Sequence, residues 1–173
     1  MWKRVVSFDE ALLLGVRRWE SDFLTRFMKT LTHLGDTSTW VVVGLALALS
    51  GGNGPRLAAL LALGATIAVL TSQVLKRLCC RPRPSSSIGG FASLTENPDA
   101  FSFPSGHTAA AFGIAVALAG EGSALGALTL TLASGIAISR VYLGAHYPLD
   151  VAAGTLVGVL AGLTARLVIF LGA

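Results

Sequence analysis

A chain of 173 residues with 53% hydrophobic and only 13% charged side chains does not have the composition of a soluble globular domain, which carries about 25% charged residues. Its mean hydropathy of +0.71 indicates an integral membrane protein, and its length fits a single domain over residues 1–173. The net charge of +4 favours anionic lipid or a phosphate-bearing substrate over nucleic acid, because the basic residues are not interleaved with aromatic ones.

The first 35 residues are the most charged part of the chain. Apolar residues recur there at helical spacing, including Phe8, Leu12, Trp19 and Phe27, while charged residues interrupt any run long enough to span a bilayer. This pattern predicts an amphipathic helix over residues 1–35 that lies in the membrane interface. A helix packed on the rest of the bundle would show the same spacing, so this alternative stays open.

Five apolar stretches follow. Residues 37–51 and 57–75 are uncharged, and the second stretch is long enough to cross a hydrocarbon core of about 30 Å. Residues 77–104 form a long polar loop, of a length that is typical of a lid or a binding loop. Three more helical runs cover residues 105–120, 122–139 and 148–171. The predicted fold class is therefore all-α, an integral membrane helical bundle of about five transmembrane helices plus the interfacial helix.

Three polar clusters stand at the ends of these apolar runs: Lys76 with Arg83-Pro84, Pro104–His107, and Ser139–Asp150. If residues 57–75 form one span, Lys76 and the loop after it lie on one side of the membrane. The chain then crosses to the opposite side over residues 105–120 and returns to the first side over residues 122–139. All three clusters are therefore expected on one face of the membrane. A random scatter of polar residues would give no such convergence.

The clusters contain the groups that a phosphate site needs. The cations of Lys76, Arg83 and Arg140 suit phosphate oxygens, and arginine offers a planar fork for two of them. Ser105 and Gly106 open a helix, where free backbone N–H groups and the helix dipole favour an anion. The combination predicts an oxyanion site, most simply for phosphate.

Two histidines complete the predicted chemistry. Asp150 lies four residues after His146, within reach of one imidazole nitrogen, so the other nitrogen is free to attack phosphorus. His107 can protonate a leaving oxygen and later activate water. This set predicts phosphoryl transfer through a phosphohistidine, with no metal and no cofactor, because no carboxylate cluster accompanies it.

The same residues resemble the three signature motifs of the type 2 phosphatidic acid phosphatase (PAP2) superfamily, in order and at full spacing. The patterns are K-x6-R-P at Lys76–Pro84, P-S-G-H at Pro104–His107 and S-R-x5-H-x3-D at Ser139–Asp150. The resemblance covers roughly the second half of the chain. It implies that His146 is the nucleophile, Asp150 its partner and His107 the general acid. It also implies a phosphate site formed by Lys76, Arg83, Ser105, Gly106 and Arg140.

The expected activity is hydrolysis of a phosphate monoester or diphosphate on a lipid whose tail stays in the bilayer. Candidate substrates are phosphatidic acid, phosphatidylglycerophosphate, a polyprenyl diphosphate and a lipid A phosphate. A lipid phosphotransferase and a non-catalytic lipid-binding membrane protein stay open as alternatives. The membrane composition argues against a haloperoxidase that would hold vanadate in the same site.

The protein is expected in the cell membrane. The resemblance favours an active site that faces outward, because the family often places it away from the cytoplasm. The basic residues of the first 35 share that side, which the positive-inside rule assigns to the cytoplasm, but bases on an interfacial helix count for less. Outside the motifs, we expect Arg77 and Arg81 at lipid headgroups, and Glu96 and Asp99 in solvent.

Overall fold

The structure is a computed structural model and describes residues 2–97 and 99–172, with side chains described from residue 7 onward. Within these ranges the regular structure is helical, apart from one isolated bridge between Pro82 and Phe101. The helices are α1 Trp2–Arg17, α2 Asp22–Leu34, α3 Thr37–Leu49, α4 Gly54–Cys79, α5 Pro84–Ser87, α6 Gly106–Leu118, α7 Ser123–Tyr142 and α8 Pro148–Leu171, with a 3-10 turn at Ala119–Glu121.

The predicted all-α membrane bundle is confirmed. Helices α4, α7 and α8 are long and apolar enough to cross a membrane. Helices α3 and α6 are also apolar but have only 13 residues each, so the number of five spans stays a prediction. Exposed leucines such as Leu70 on α4 and Leu156 on α8 give these helices the outer surface that lipid chains require.

The N-terminal region forms two helices instead of the single predicted one. The break falls before Ser21, whose extended backbone caps α2 and whose hydroxyl accepts a hydrogen bond from the Leu24 N–H. The Tyr142 hydroxyl at the end of α7 lies 3.1 Å from Thr25 Oγ1 and fixes α2 on the bundle. Trp19 and Phe23 are 76% and 81% exposed, as an interfacial surface needs.

Helix α6 lies at the centre of the bundle, and small residues let its neighbours approach closely. A Cβ atom at Gly64 of α4 would lie 2.6 Å from the Gly113 carbonyl oxygen of α6, and one at Gly158 of α8 would lie 2.5 Å from the Ala109 oxygen. The backbones of α4, α6 and α8 therefore touch. This packing fixes the end of α4 beside the start of α6 and the start of α8.

The two ends of the bundle differ in polarity. At one end Arg56 pairs with Glu121 across 3.3 Å, which ties the start of α4 to the turn after α6. At the other end lie the last residues of α4 and α7, the first residues of α6 and α8, and the loop of residues 77–104. All three polar clusters predicted from the sequence meet at this second end.

Candidate active site

A cavity of about 160 Å³ opens at the polar end of the bundle. Its wall contains six of the predicted site residues, namely Lys76, Arg83, Gly106, His107, Arg140 and His146. The other two, Ser105 and Asp150, are fully buried beside it. The structure thus brings together, from four segments of the chain, the groups that the sequence analysis selected.

His146 lies in the turn between α7 and α8, and its side chain is buried. Its Nδ1 is 2.7 Å from the carbonyl oxygen of Ser102. A carbonyl oxygen only accepts hydrogen bonds, so Nδ1 carries the proton and Nε2 keeps its lone pair. Nε2 lies 3.4 Å from Nη1 of Arg83, which lines the cavity. Burial, together with the positive charges of the nearby arginines and lysine, holds the pKa of His146 well below its ordinary value.

Asp150 does not bond directly to His146. Its Oδ2 is 3.8 Å from His146 Nδ1, which is longer than a hydrogen bond. The same oxygen accepts a hydrogen bond of 2.9 Å from the Tyr147 N–H, and Oδ1 accepts one of 2.8 Å from Arg81. Asp150 therefore shapes the start of α8 and places negative charge near the imidazole, whereas Ser102 fixes the tautomer.

The expectation that Arg81 contacts lipid headgroups is wrong. Its guanidinium donates to Asp150 and, over 2.7 Å, to Asp9 of α1, and both carboxylates are fully buried. It also stacks on the Tyr147 ring, 4.1 Å from the centroid. Two buried carboxylates require a cation between them, and Arg81 is that cation. Asp9 also accepts a hydrogen bond from the Leu149 N–H, so α1 is bonded to the start of α8.

The expectation that Asp99 is solvated is also wrong. Its Oδ1 accepts hydrogen bonds from Lys76 Nζ, at 3.2 Å, and from Arg83 Nη2, at 2.7 Å. Burial would raise the pKa of the Asp99 carboxyl, but the hydrogen bond from Arg83 and the charge of Lys76 outweigh it and hold the pKa below its usual value. Asp99 thus joins two of the predicted phosphate-binding cations.

Arg140 has unused hydrogen-bonding capacity. It is only 2% exposed, and its Nη1 donates to Thr32 Oγ1 over 2.7 Å. Its Nε and Nη2 atoms have no hydrogen-bond partner among the described residues. A buried guanidinium without partners is costly, and it faces a cavity that Lys76 and Arg83 also line. These groups suit an anion with several oxygens.

The start of α6 lies against the same cavity. Ser105 is its N-cap in an extended conformation, and its side chain is engaged with Thr108 instead of the helix end. Gly106 lines the cavity, and a Cβ atom there would meet nothing within 4 Å. Free N–H groups of the first turn favour an anion at this position.

His107, the second residue of α6, has a partner that the local sequence pattern does not predict. Its Nε2 lies 3.0 Å from Oδ1 of Asp36, and Oδ2 of Asp36 lies 3.0 Å from Nδ1 of His33. The partners of Asp36 and Asp9 in the site, His107 and Arg81, are 71 and 72 residues away in the sequence, so local spacing does not predict these contacts. The chain has only nine acidic residues. This scarcity is the one signal in the sequence that indicates a structural or functional role for each of them.

An apolar groove of about 520 Å³ adjoins the cavity at the polar end of the bundle. Helices α3 and α4 form most of its wall, with Trp40, Val41, Leu45 and Leu61 among the lining residues. The groove and the cavity share four residues, namely Gly35, Thr37, Val69 and Ala110. A molecule with a charged head and an apolar tail could therefore place its head in the cavity and its tail in the adjoining groove.

Comparison with known proteins settles the family. The PAP2 superfamily model matches residues 57–171. The chain belongs to the PAP2 superfamily. The resemblance based on the three motifs is thereby confirmed. The prediction that the chain is an enzyme of the lipid phosphate phosphatase class is confirmed as well.

Curated relatives extend over most of the chain. The decaprenylphosphoryl-5-phosphoribose phosphatase of Mycobacterium tuberculosis (strain H37Rv) is 32% identical over 133 residues, 76% of this chain and 73% of that protein. The undecaprenyl-diphosphatase of Sulfolobus acidocaldarius is 30% identical over 154 residues, 88% of this chain and 74% of that protein. The bacitracin transport permease protein BcrC of Bacillus licheniformis is 37% identical over 97 residues, and the chain spans only 48% of its length.

Two solved structures have the same fold. The PAP2-type phosphatidylglycerolphosphate phosphatase of Bacillus subtilis superposes with a TM-score of 0.77 at 28% identity, over 94% of this chain and 85% of that one. LpxE of Aquifex aeolicus gives a TM-score of 0.80 at 28% identity, over 90% of this chain and 92% of that one. Both structural matches therefore extend beyond residues 57–171, which the family model matches.

Proposed function

We propose that the protein hydrolyses a phosphate monoester or diphosphate on a membrane lipid through a phosphohistidine at His146, without a metal ion. The observation that carries the proposal is the buried Arg140, whose Nε and Nη2 lack partners among the described residues. Arg140 lines one cavity together with Lys76, Arg83, His107 and His146. Three cations around a nucleophile and a second histidine suit a phosphoryl group better than any neutral ligand.

The first step transfers the phosphoryl group to the enzyme. The lone pair of His146 Nε2 attacks phosphorus, because Ser102 holds the proton on Nδ1. The bond between phosphorus and the lipid oxygen breaks, and His107 gives that oxygen a proton. Lys76, Arg83 and Arg140 stabilise the charge on the remaining phosphoryl oxygens, as electrostatic catalysis of phosphoryl transfer requires.

The second step returns the enzyme to its starting state. Water loses a proton to His107 and attacks the phosphohistidine, the N–P bond breaks, and inorganic phosphate leaves. No metal is needed in this scheme because the three cations supply the positive charge.

The adjoining apolar groove supports a lipid substrate. The relatives are named for decaprenylphosphoryl-5-phosphoribose and undecaprenyl diphosphate, and one solved neighbour for phosphatidylglycerolphosphate. A polyprenyl diphosphate and phosphatidylglycerophosphate are therefore the first substrates to test, with phosphatidic acid and a lipid A phosphate beside them.

The decisive experiment measures phosphate release from these four lipids by purified protein in detergent with EDTA, beside His146→Ala. We expect the parent to release phosphate and the variant to release none. A short reaction with ³²P-labelled substrate, quenched in alkali, should leave label on the parent only. Loss of activity in EDTA would contradict the metal-free scheme. Transfer of label to an added acceptor lipid instead of water would favour a phosphotransferase, and lipid binding without turnover a binding protein.

We also propose that the site faces outward from the cell membrane. Cys79 and Cys80, the two cysteines of the chain, are both exposed at the catalytic end of α4. A membrane-impermeant maleimide added to intact cells should label them. In a variant with both replaced by serine, Ser123→Cys places a thiol at the opposite end of the bundle and should stay unlabelled. The reverse labelling pattern would place the site inside.

A further inference from the structure

The contact between His107 and Asp36 links the catalytic cavity to the N-terminal helices. Asp36 lies between α2 and α3, and its carboxylate is held by two imidazoles, each at 3.0 Å. Burial would raise the pKa of Asp36, but the hydrogen bonds from His33 and His107 outweigh it and hold the pKa below its usual value. Asp36 is therefore an ionised acceptor at neutral pH.

An ionised carboxylate fixes the state of the nitrogen that faces it. Because both oxygens of Asp36 only accept, Nε2 of His107 must carry a proton. Nδ1 is then the nitrogen that can gain or lose a proton while Nε2–H stays in place. A histidine oriented in this way by a carboxylate is the general arrangement of an acid or base in phosphoryl and acyl transfer.

Apart from Asp36, the charged groups that act most strongly on His107 are cationic, while the acidic Asp99 and Glu96 line the two cavities that His107 also lines. Arg140 from α7 and Arg83 from the loop of residues 77–104 act on it directly, and Lys76 of α4 lines the same cavity. These charges oppose an imidazolium at position 107. Asp36 is the acidic group in hydrogen-bond contact with His107, so it provides the main compensation for the charged form.

We propose that Asp36 is a positioning residue that holds Nε2–H of His107 and so makes Nδ1 the nitrogen that exchanges protons with the lipid oxygen and with water. The inference rests on the proposed function, since it concerns the same reaction. In the first step the proton moves from Nδ1 of His107 to the oxygen released from phosphorus. In the second step Nδ1 takes a proton from the attacking water as the N–P bond breaks and phosphate leaves.

Asp36→Asn is a clean variant. Asp36 is the N-cap residue of α3, but its side chain makes no capping hydrogen bond there, and asparagine is an equally good N-cap. The side chain is 40% exposed, so the change does not bury a new polar group. Folding is therefore not at risk, while the negative charge beside His107 is removed.

Glu96 offers a matched control. It is exposed and lines a second cavity of about 280 Å³, whose wall also contains Asp36, His107 and Arg140. It makes no hydrogen bond with His107, whose partner is Asp36. Glu96→Gln therefore removes one negative charge from the same cavity without touching the histidine.

The test compares kcat, KM and the pH dependence of kcat/KM for the parent, Asp36→Asn, Asp36→Glu, Glu96→Gln and His146→Ala. We expect Asp36→Asn to lower kcat about 10- to 100-fold, part of the 10²- to 10⁴-fold typical of general acid–base catalysis, with KM unchanged. The alkaline limb of its kcat/KM profile, which reports the first step and its acid form of His107, should move to lower pH, because an imidazolium without a carboxylate partner loses its proton more readily. Asp36→Glu should restore both properties in part, and Glu96→Gln should match the parent.

The outcomes separate the two proposals. An active parent with Asp36→Asn equal to Glu96→Gln in both kcat and pH profile would overturn the role of Asp36 and leave the proposed function standing. A fall in kcat without movement of the alkaline limb would also overturn it, since a merely structural effect gives that result. A parent as inactive as His146→Ala on every lipid would overturn the proposed function, and the role of Asp36 with it.

Discussion

Nδ1 of His146 and the carbonyl oxygen of Ser102 are 2.7 Å apart, and this backbone contact fixes the tautomer of the proposed nucleophile. Ser102 is itself held rigidly, since its N–H donates to the Arg81 carbonyl and its hydroxyl to the Pro82 carbonyl. The loop of residues 77–104 therefore orients the imidazole, and Asp150 acts from a longer distance of 3.8 Å.

Asp150→Asn should reduce activity without abolishing it. The Ser102 carbonyl keeps Nε2 of His146 free in this variant, so the loss comes from the missing negative charge and the weakened start of α8. We expect kcat to fall about 10- to 100-fold, at or below the lower end of the ~10²- to 10⁴-fold that a positioned acid–base group contributes. The measurement is phosphate release beside His146→Ala. A variant as inactive as His146→Ala would show that Asp150 contacts the nucleophile during turnover.

Arg81→Ala should lower the thermal stability of the fold. It leaves Asp9 and Asp150 buried without a cation, and breaking a buried ion pair costs about 3 to 5 kcal/mol. The thermal unfolding temperature in detergent should therefore drop clearly. Arg77→Ala, which removes a neighbouring exposed arginine, is the control and should unfold like the parent. Equal unfolding temperatures for the two variants would contradict the network.

His146 should stay neutral under mildly acidic conditions. Its pKa lies well below the ordinary value because of burial and the charges of Arg140, Arg83 and Lys76. The chain has three histidines, so NMR of ¹³C-labelled histidine can follow each of them, and His146→Gln identifies the resonance. We expect that resonance to show a neutral ring at pH values below about 6.5, the ordinary histidine pKa. A midpoint at or above that value would contradict the burial of this side chain.

The same shift makes stability depend on pH with a defined sign. Below about pH 6.5 the unfolded chain binds a proton at position 146, whereas the folded protein does not. The unfolded state then holds more protons, so stability falls as the pH falls toward the lowered pKa of the folded state. Unfolding temperatures measured from pH 7 downward should decrease, and by less in His146→Gln.

Gly158→Ala should loosen the bundle. A Cβ atom at this position would lie 2.5 Å from the Ala109 carbonyl oxygen and 2.6 Å from Phe112 Cβ, so α8 would have to move away from α6. Overpacking of this kind costs about 1 to 3 kcal/mol. Gly44→Ala on α3 would bring its Cβ only within 3.6 Å of Leu61 and should be tolerated. Similar unfolding temperatures for both variants would show that the helices accommodate the methyl group.

The sequence predicts the motif residues well because each one stands out locally. Lys76, Arg83 and Arg140 are charges at the ends of apolar runs, and six of the predicted site residues do line one cavity. Proline is favoured in the first turn of a helix, so the sequence predicts that α8 begins at Pro148, where the structure begins it. Local chemistry and helix-end rules account for these successes.

The remaining contacts are not readable from the sequence for a physical reason. Asp36 and His107 are 71 residues apart, and Arg81 and Asp9 are 72 apart, so no local spacing joins them. Ser102 acts through a backbone carbonyl, which every residue type possesses. The division of the N-terminal region into α1 and α2 depends on the cap at Ser21 and on Tyr142, a residue of a distant helix.

The contacts of α1 and α2 bear on how such enzymes diversify. Asp9, Thr32 and Asp36 all precede residue 57, where the family model begins, yet they bond to Arg81, Arg140 and His107. A chimera that joined residues 57–171 to the leading segment of a distant homologue would keep every motif and exchange all three of these partners. Substitutions in the N-terminal helices alone could therefore change the proton affinity of His107 and the anion affinity of Arg140 during evolution, with the signature residues unchanged.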